Sequence, residues 1–148
     1  ARLCERVRQQ RVDQAVRDAA RDVLRYFDIA APHHHEDEER HVFPRLLAMD
    51  EAGPAVHQAV LQLLRQHEAM RAQWVALRRP LEQLAAGEDA AFDADALEAA
   101  AHFAALYQDH AETEESMIFP LAAQALSPDE LRAMGAEMAQ RRGAKVAP

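Results

Sequence analysis

Two segments of the sequence carry the same arrangement of imidazole and carboxylate side chains. One runs His34-His35-Glu36-Asp37-Glu38-Glu39-Arg40-His41-Val42-Phe43-Pro44, and the other runs His110-Ala111-Glu112-Thr113-Glu114-Glu115-Ser116-Met117-Ile118-Phe119-Pro120. Both read H-x-x-x-E-E-x-x-x-F-P, and agreement at five positions rarely arises by chance twice in one chain. On an α-helix, residues four apart lie about 40° apart around the axis and one turn apart along it, so each His shares a face with its first Glu. That face is otherwise apolar. His110 sits between Phe103, Leu106 and Tyr107 on one side and Met117 and Ile118 on the other; His34 follows Phe27, Ala30 and Ala31 and precedes Val42. A carboxylate on an apolar face is costly unless it is paired, hydrogen-bonded or bound to a metal. A metal accounts for both pairs together.

His67 extends the set. Its helical neighbours Val60, Leu63, Leu64, Met70 and Trp74 place it in the middle of an apolar stripe, where two inward His/Glu pairs on other helices make it a ligand rather than a core residue. The candidate metal ligands are therefore His34, Glu38, His67, His110 and Glu114. Imidazole nitrogen and carboxylate oxygen without thiolate suit iron, manganese or zinc. Two carboxylates from different helices can each bridge two ions, so a dinuclear redox centre fits better than one ion with five ligands.

Other polar residues near the repeat read as bystanders. Two of His33, His35 and His41 are expected at the surface or behind the ligands, and His35 with Glu39 repeats the same spacing and forms the main rival register. Glu39 and Glu115 are expected to offer acceptor oxygens to Arg side chains or to ligand imidazole N–H groups. Tyr107 reads as core, His57 and His102 as partly exposed, and Arg71, Arg78 and Arg79 as a solvated face. Ferritin-like di-iron bundles need two Glu-x-x-His motifs, and only Glu38 with His41 has that spacing. There is no H-E-x-x-H motif, Gly-rich phosphate loop or nucleophile elbow.

The elements that must position these residues are helical throughout. Val16, Ala19, Ala20, Val23, Leu24 and Phe27 mark one helix face running to about Ala31, where Pro32 predicts a break or kink. The pattern resumes to about Met49, and Asp50 to Pro54 reads as a turn. A long helix follows, then a loop from Gly87 to Asp93, then a helix that Asp95 is expected to cap. Ser127-Pro128-Asp129-Glu130 opens a last short helix that ends at Arg141, Arg142 and Gly143. Ala1 to Gln10 reads as a helix too short to span a bundle, with a loop absent after Gln10 preferred over one continuous helix to Ala31.

Composition bounds the rest. With 148 residues the chain is read as a single domain, 1–148, with 49% apolar residues and only 4 Gly. A formal charge of −8 argues against nucleic-acid or anionic-membrane partners, which favour a basic face. The single Cys4 excludes an internal disulfide framework and a thiolate zinc site. No stretch approaches the roughly 20 apolar residues of a membrane span and no signal peptide is visible, so a cytoplasmic location is expected.

The paired H-x-x-x-E motifs with their F-P companions, and the His on the intervening helix, resemble the hemerythrin-like (HHE cation-binding) family over about Val23 to Ala123. The resemblance implies an all-α, antiparallel up-down four-helix bundle with a short extra C-terminal helix here. It also implies a non-haem centre of two irons per chain, carboxylate-bridged and open to an oxo bridge. By motif position, His34, His67 and His110 would be terminal ligands and Glu38 and Glu114 bridging ones. The family usually supplies another His from its first helix, about thirty residues before the first motif, but no His here precedes His33. That ligand lies upstream of Ala1, is replaced by Glu5 or Cys4, or is absent; its absence would open one iron and favour oxidation chemistry. The resemblance implies binding or sensing of O₂ or a related small molecule. The alternatives are a redox enzyme acting on peroxide or nitric oxide, or an iron-sensing or storage module.

Overall fold

A computed structural model describes residues 13–49, 53–88 and 92–143. The readings made for Ala1 to Gln10, including Cys4 and Glu5, lie outside the described residues. The described residues contain no strand and form an all-α fold of three long helical rods and a shorter C-terminal helix. The first rod comprises α1 (Gln14–Arg25), α2 (Ala31–Asp37) and α3 (Phe43–Leu47), joined by wide turns at Tyr26–Ala30 and Glu38–Val42. The second is the single helix α4 (Gly53–Ala86). The third comprises α5 (Ala94–Thr113), a wide turn at Glu114–Ile118, and α6 (Phe119–Ala125); α7 (Pro128–Arg141) follows. Asp28 bonds Trp74 and Arg78 while Glu39 bonds His67, so the first two rods run antiparallel. Gln66 bonds Asp109 while Trp74 packs on Phe103, so the second and third do as well.

The starts of the rods follow capping rules. Asp13 accepts from the Val16 N–H at 3.0 Å, and Ser127 and Glu130 form a reciprocal capping box at α7. At α5 the cap is Asp93 rather than the expected Asp95: its extended backbone lets Oδ1 accept from the Ala96 N–H at 3.0 Å, while Asp95 lies inside the first turn. Gly53 and Gly143 take positive φ, +77° and +66°, at the entry to α4 and the exit from α7, where an L side chain would be strained.

The three wide turns share a cause. In each, an N–H reaches back five residues instead of four: Ala31 to the Tyr26 carbonyl, Phe43 to Glu38, and Phe119 to Glu114. Each closing residue immediately precedes a proline, Pro32, Pro44 or Pro120. A proline ring clashes with the carbonyl four residues back, and widening the preceding turn gives it room without breaking the rod. Pro32 therefore does not interrupt the helix. Pro80 stays inside regular α4, so proline permits the wide turn without enforcing it.

Packing divides into two apolar regions. One gathers Val16, Ala20, Met70, Leu77, Leu81, Leu84 and Phe103; the other gathers Phe43, Leu46, Val56, Val60, Leu63 and Ile118. Between them lies a buried polar layer of His35, Glu38, Gln66, His67, His110 and Glu114. By contrast α7 buries none of its residues. It holds on through charged side chains: Arg141 to Glu36 at 2.8 Å and to Asp37, Arg142 to Asp37, and Glu137 to His41 at 2.8 Å.

Candidate metal centre

The polar layer is built from one face of each long rod. α2 and the wide turn after it supply His34, His35 and Glu38; α4 supplies His67; α5 and its wide turn supply His110 and Glu114. Both carboxylates stand at the first position of a wide turn, which is how the F-P of each repeat touches the site. The two repeats then diverge: Phe43 is 1% exposed and lies 5.7 Å from the His67 ring, whereas Phe119 is 39% exposed and Ile118 takes the inward place.

Glu38, His67, His110 and Glu114 are all buried, and one ligand atom from each lies within 4.8 Å of the others. His67 Nε2 is 3.5 Å from Glu38 Oε2, and His110 Nε2 is 2.6 Å from Glu114 Oε1. His34 stands at the rim, its side chain 42% exposed, with Nε2 3.5 Å from Glu38 and 3.8 Å from Glu114. His35, read from sequence as half of the rival register, is 4% exposed and stacks on His67 at 3.9 Å. His35, His67 and His110 form a second buried group whose offered atoms also lie within 4.8 Å of one another.

The imidazoles of His67 and His110 are held in one tautomer from behind. Glu39 Oε1 is 2.8 Å from His67 Nδ1 and also accepts from Arg71 at 3.1 Å. A carboxylate only accepts, so Nδ1 carries the proton and Nε2 turns its lone pair to the cluster. On the other rod, Gln66 donates its amide to Asp109 Oδ2 at 2.6 Å, which turns its oxygen towards His110 Nδ1 at 3.3 Å. The same tautomer follows. Glu39 serves as expected. Gln66 and Asp109 were not singled out, although each sits beside a candidate ligand in the chain, which is the signal that could have found them.

Charge in the layer is unbalanced. Burial, reinforced by Glu114, raises the Glu38 carboxyl against the opposing pull of His67 and His34. Burial alone would raise Glu114 too, but His110 and then His34 outweigh it and hold that carboxyl at about 2. Burial and then the neighbouring imidazoles push His35 down to about 3, so it is neutral.

Six of the buried atoms have no hydrogen-bond partner: Nε2 of His35, His67 and His110, both oxygens of Glu38, and Oε1 of Glu114. His110 and Glu114 approach closely without hydrogen-bond angles. Each unsatisfied buried group costs about 1–3 kcal/mol, so the six together would consume most of a typical domain's net stability of about 5–15 kcal/mol. A cation answers all of them at once. Nitrogen and carboxylate donors without sulfur suit iron, manganese or zinc, so the residues fit the metal that the repeat implies.

Elsewhere, Tyr107 does not enter the layer: its hydroxyl pairs with that of Tyr26 at 2.8 Å, and its ring joins Phe27 at 5.4 Å. Arg71 and Arg78 are exposed as expected, and they pair with Glu39 and Asp28. No helix among the described residues is long and apolar enough to cross a membrane.

Comparison with known proteins agrees with this geometry. An uncharacterized protein of Haemophilus influenzae is 35% identical over 132 residues, covering 89% of this chain and 73% of that protein. The model of the hemerythrin HHE cation-binding domain matches residues 1–122, which include the whole polar layer. With buried His and Glu side chains clustered between two apolar regions of an all-α fold, the chain belongs to the hemerythrin HHE cation-binding domain family.

Proposed function

We propose that the chain holds two irons in this layer and uses them to bind or sense O₂ or a related small molecule. The observation that carries the reading is the buried cluster of Glu38, His67, His110 and Glu114, each with an unpartnered atom and with ligand atoms within 4.8 Å of one another. In this reading Glu38 and Glu114 would be the carboxylates shared by the metals, and His34, His67 and His110 would hold them as terminal ligands. Glu39 and Gln66 keep the His67 and His110 lone pairs aimed at the metals. The apolar regions above and below exclude water, and His34 marks the side open to solvent. A bound iron pair supplies reversible redox change and an open position for a small apolar ligand.

The test is metal content per chain together with the spectrum of the reduced protein as O₂ is admitted and removed. Two irons with reversible spectral change are expected. A metal-free chain that is fully folded after expression in iron-rich medium would end the reading. The half-exposed rim at His34 favours a second reading, turnover of peroxide or nitric oxide, because turnover requires ready exchange with solvent. In that case substrate loss is rapid and Glu114→Ala abolishes it.

A further inference from the structure

We infer that His35 is itself a metal ligand, one more imidazole beside His67 and His110. The inference rests on the metal-binding reading above and goes beyond the five ligands assigned there.

Three observations carry it. The first is register. The wide turn at Tyr26–Ala30 inserts one residue into the first rod, so positions after it are rotated by about 100° relative to a uniform helix. Extrapolated from Phe27 at α-helical spacing, His34 would point inward; with the inserted residue, His35 takes that place. Accordingly His35 is 4% exposed while the His34 side chain is 42% exposed.

The second is geometry. The His35 ring centroid lies 3.9 Å from His67 and 5.4 Å from His110, and the offered atoms of all three fall within 4.8 Å. Two nitrogens on one ion at about 2.1 Å each are at most roughly 4.2 Å apart, and the near-parallel stack of His35 on His67 keeps their in-plane lone pairs in neighbouring planes, so both rings ligate through two adjacent ions or after one ring turns. The third is chemistry. His35 Nε2 is buried without a hydrogen-bond partner, beside two rings whose Nε2 atoms are in the same state. A packing histidine in an apolar core normally spends its polar atoms on a neighbour. This one keeps an unpartnered nitrogen in the same buried cluster as His67 and His110.

The resulting nitrogen set is His34 at the rim and His35, His67 and His110 inside, with Glu38 and Glu114 between. Cobalt(II) is the probe. In the cobalt-loaded chain, each ligated imidazole that keeps an N–H gives a hyperfine-shifted, exchangeable proton signal. His35→Gln is expected to remove one such signal and to weaken cobalt binding tenfold or more, whereas His41→Gln leaves both unchanged. His35→Phe, which fills the same space, should behave as His35→Gln does and guards against loss of packing. A crystal structure of the cobalt-loaded parental chain decides the matter without any variant: His35 Nε2 within bonding distance of an ion supports the inference. If the other five residues hold cobalt and His35 stays away, or the shifted signals are the same in His35→Gln, the inference falls and the metal-binding reading stands. If the parental chain takes up no cobalt and no iron, both fall.

Discussion

Removing Glu39 tests whether the oxygen behind His67 matters more than its own exposure suggests. Glu39 Oε1 holds the His67 Nδ1 proton at 2.8 Å and accepts from Arg71 at 3.1 Å. Losing the partner of a ligating imidazole typically weakens metal binding 10–100-fold, or about 1.4–2.8 kcal/mol. The Glu39 side chain is 30% exposed, so water replaces part of the lost oxygen and the expected effect of Glu39→Ala lies near the tenfold end. Glu39→Gln keeps an acceptor but not the charge, so its loss should be roughly half as large in free energy. Arg71 is 54% exposed, and an exposed pair contributes at most about 1 kcal/mol, so Arg71→Ala should cost less than about fivefold. The assay is competition for iron(II) between each variant and a chromophoric chelator, with circular dichroism confirming that the metal-free variants are folded. Glu39→Ala binding within twofold of the parental chain would refute the argument, as would equal damage from Arg71→Ala.

Leu63, fully buried beneath the polar layer, should cost about 2–5 kcal/mol as Leu63→Ala, read from the denaturant midpoint; a loss below about 1 kcal/mol would mean that the region collapses around the cavity. Asp28 is held below the usual carboxylate range by Arg78 and then by the Trp74 indole N–H, against opposing burial. Its contribution is therefore present above the unfolded value near 3.8 and is lost as pH falls through the lower folded value. The stability gap between the parental chain and Asp28→Asn should accordingly be wider at pH 7 than at pH 2, with Trp74, the single tryptophan, as fluorescent reporter; an equal gap at both contradicts it. Asp93→Ala should lower stability by about 1 kcal/mol through loss of the α5 cap, and Asp95→Ala by a few tenths, by thermal melting. The reverse order would restore Asp95 as the cap.

Helical periodicity made the rods legible, because apolar residues at 3.6 spacing fix which face is buried as long as the spacing is uniform. It located His67, His110 and Glu114 in the buried layer, since nothing between Phe103 and Glu114 disturbs the α-helix. It left His35 outside the candidate set, as half of a rival register, although the side chain is buried. The wide turn before Pro32 adds a residue between Phe27 and the histidines, which brings His35 onto the buried face beside Glu38, three residues on. The expected break at Pro32 has the same origin: proline signalled a disturbance, and whether a rod breaks or widens depends on packing against α4. Gln66 and Asp109 escaped notice because their role rests on contact between two rods, which no single-helix pattern encodes.

The attachment of α7 leaves ionic strength as a control on the bundle. The helix buries no residue and is secured by guanidinium–carboxylate and imidazole–carboxylate contacts, most of them on Glu36, Asp37 and His41 beside the candidate ligands. Screening shortens from about 8 Å at physiological ionic strength to about 3 Å in molar salt, whereas burial of Leu46 or Leu84 is not weakened by it. Concentrated salt should thus loosen the C-terminal helix, chiefly at its exposed pairs with Arg40 and Arg45, while the three long rods stay assembled. Anything that changes the charge on Asp37 or Arg141 would act on the same joint.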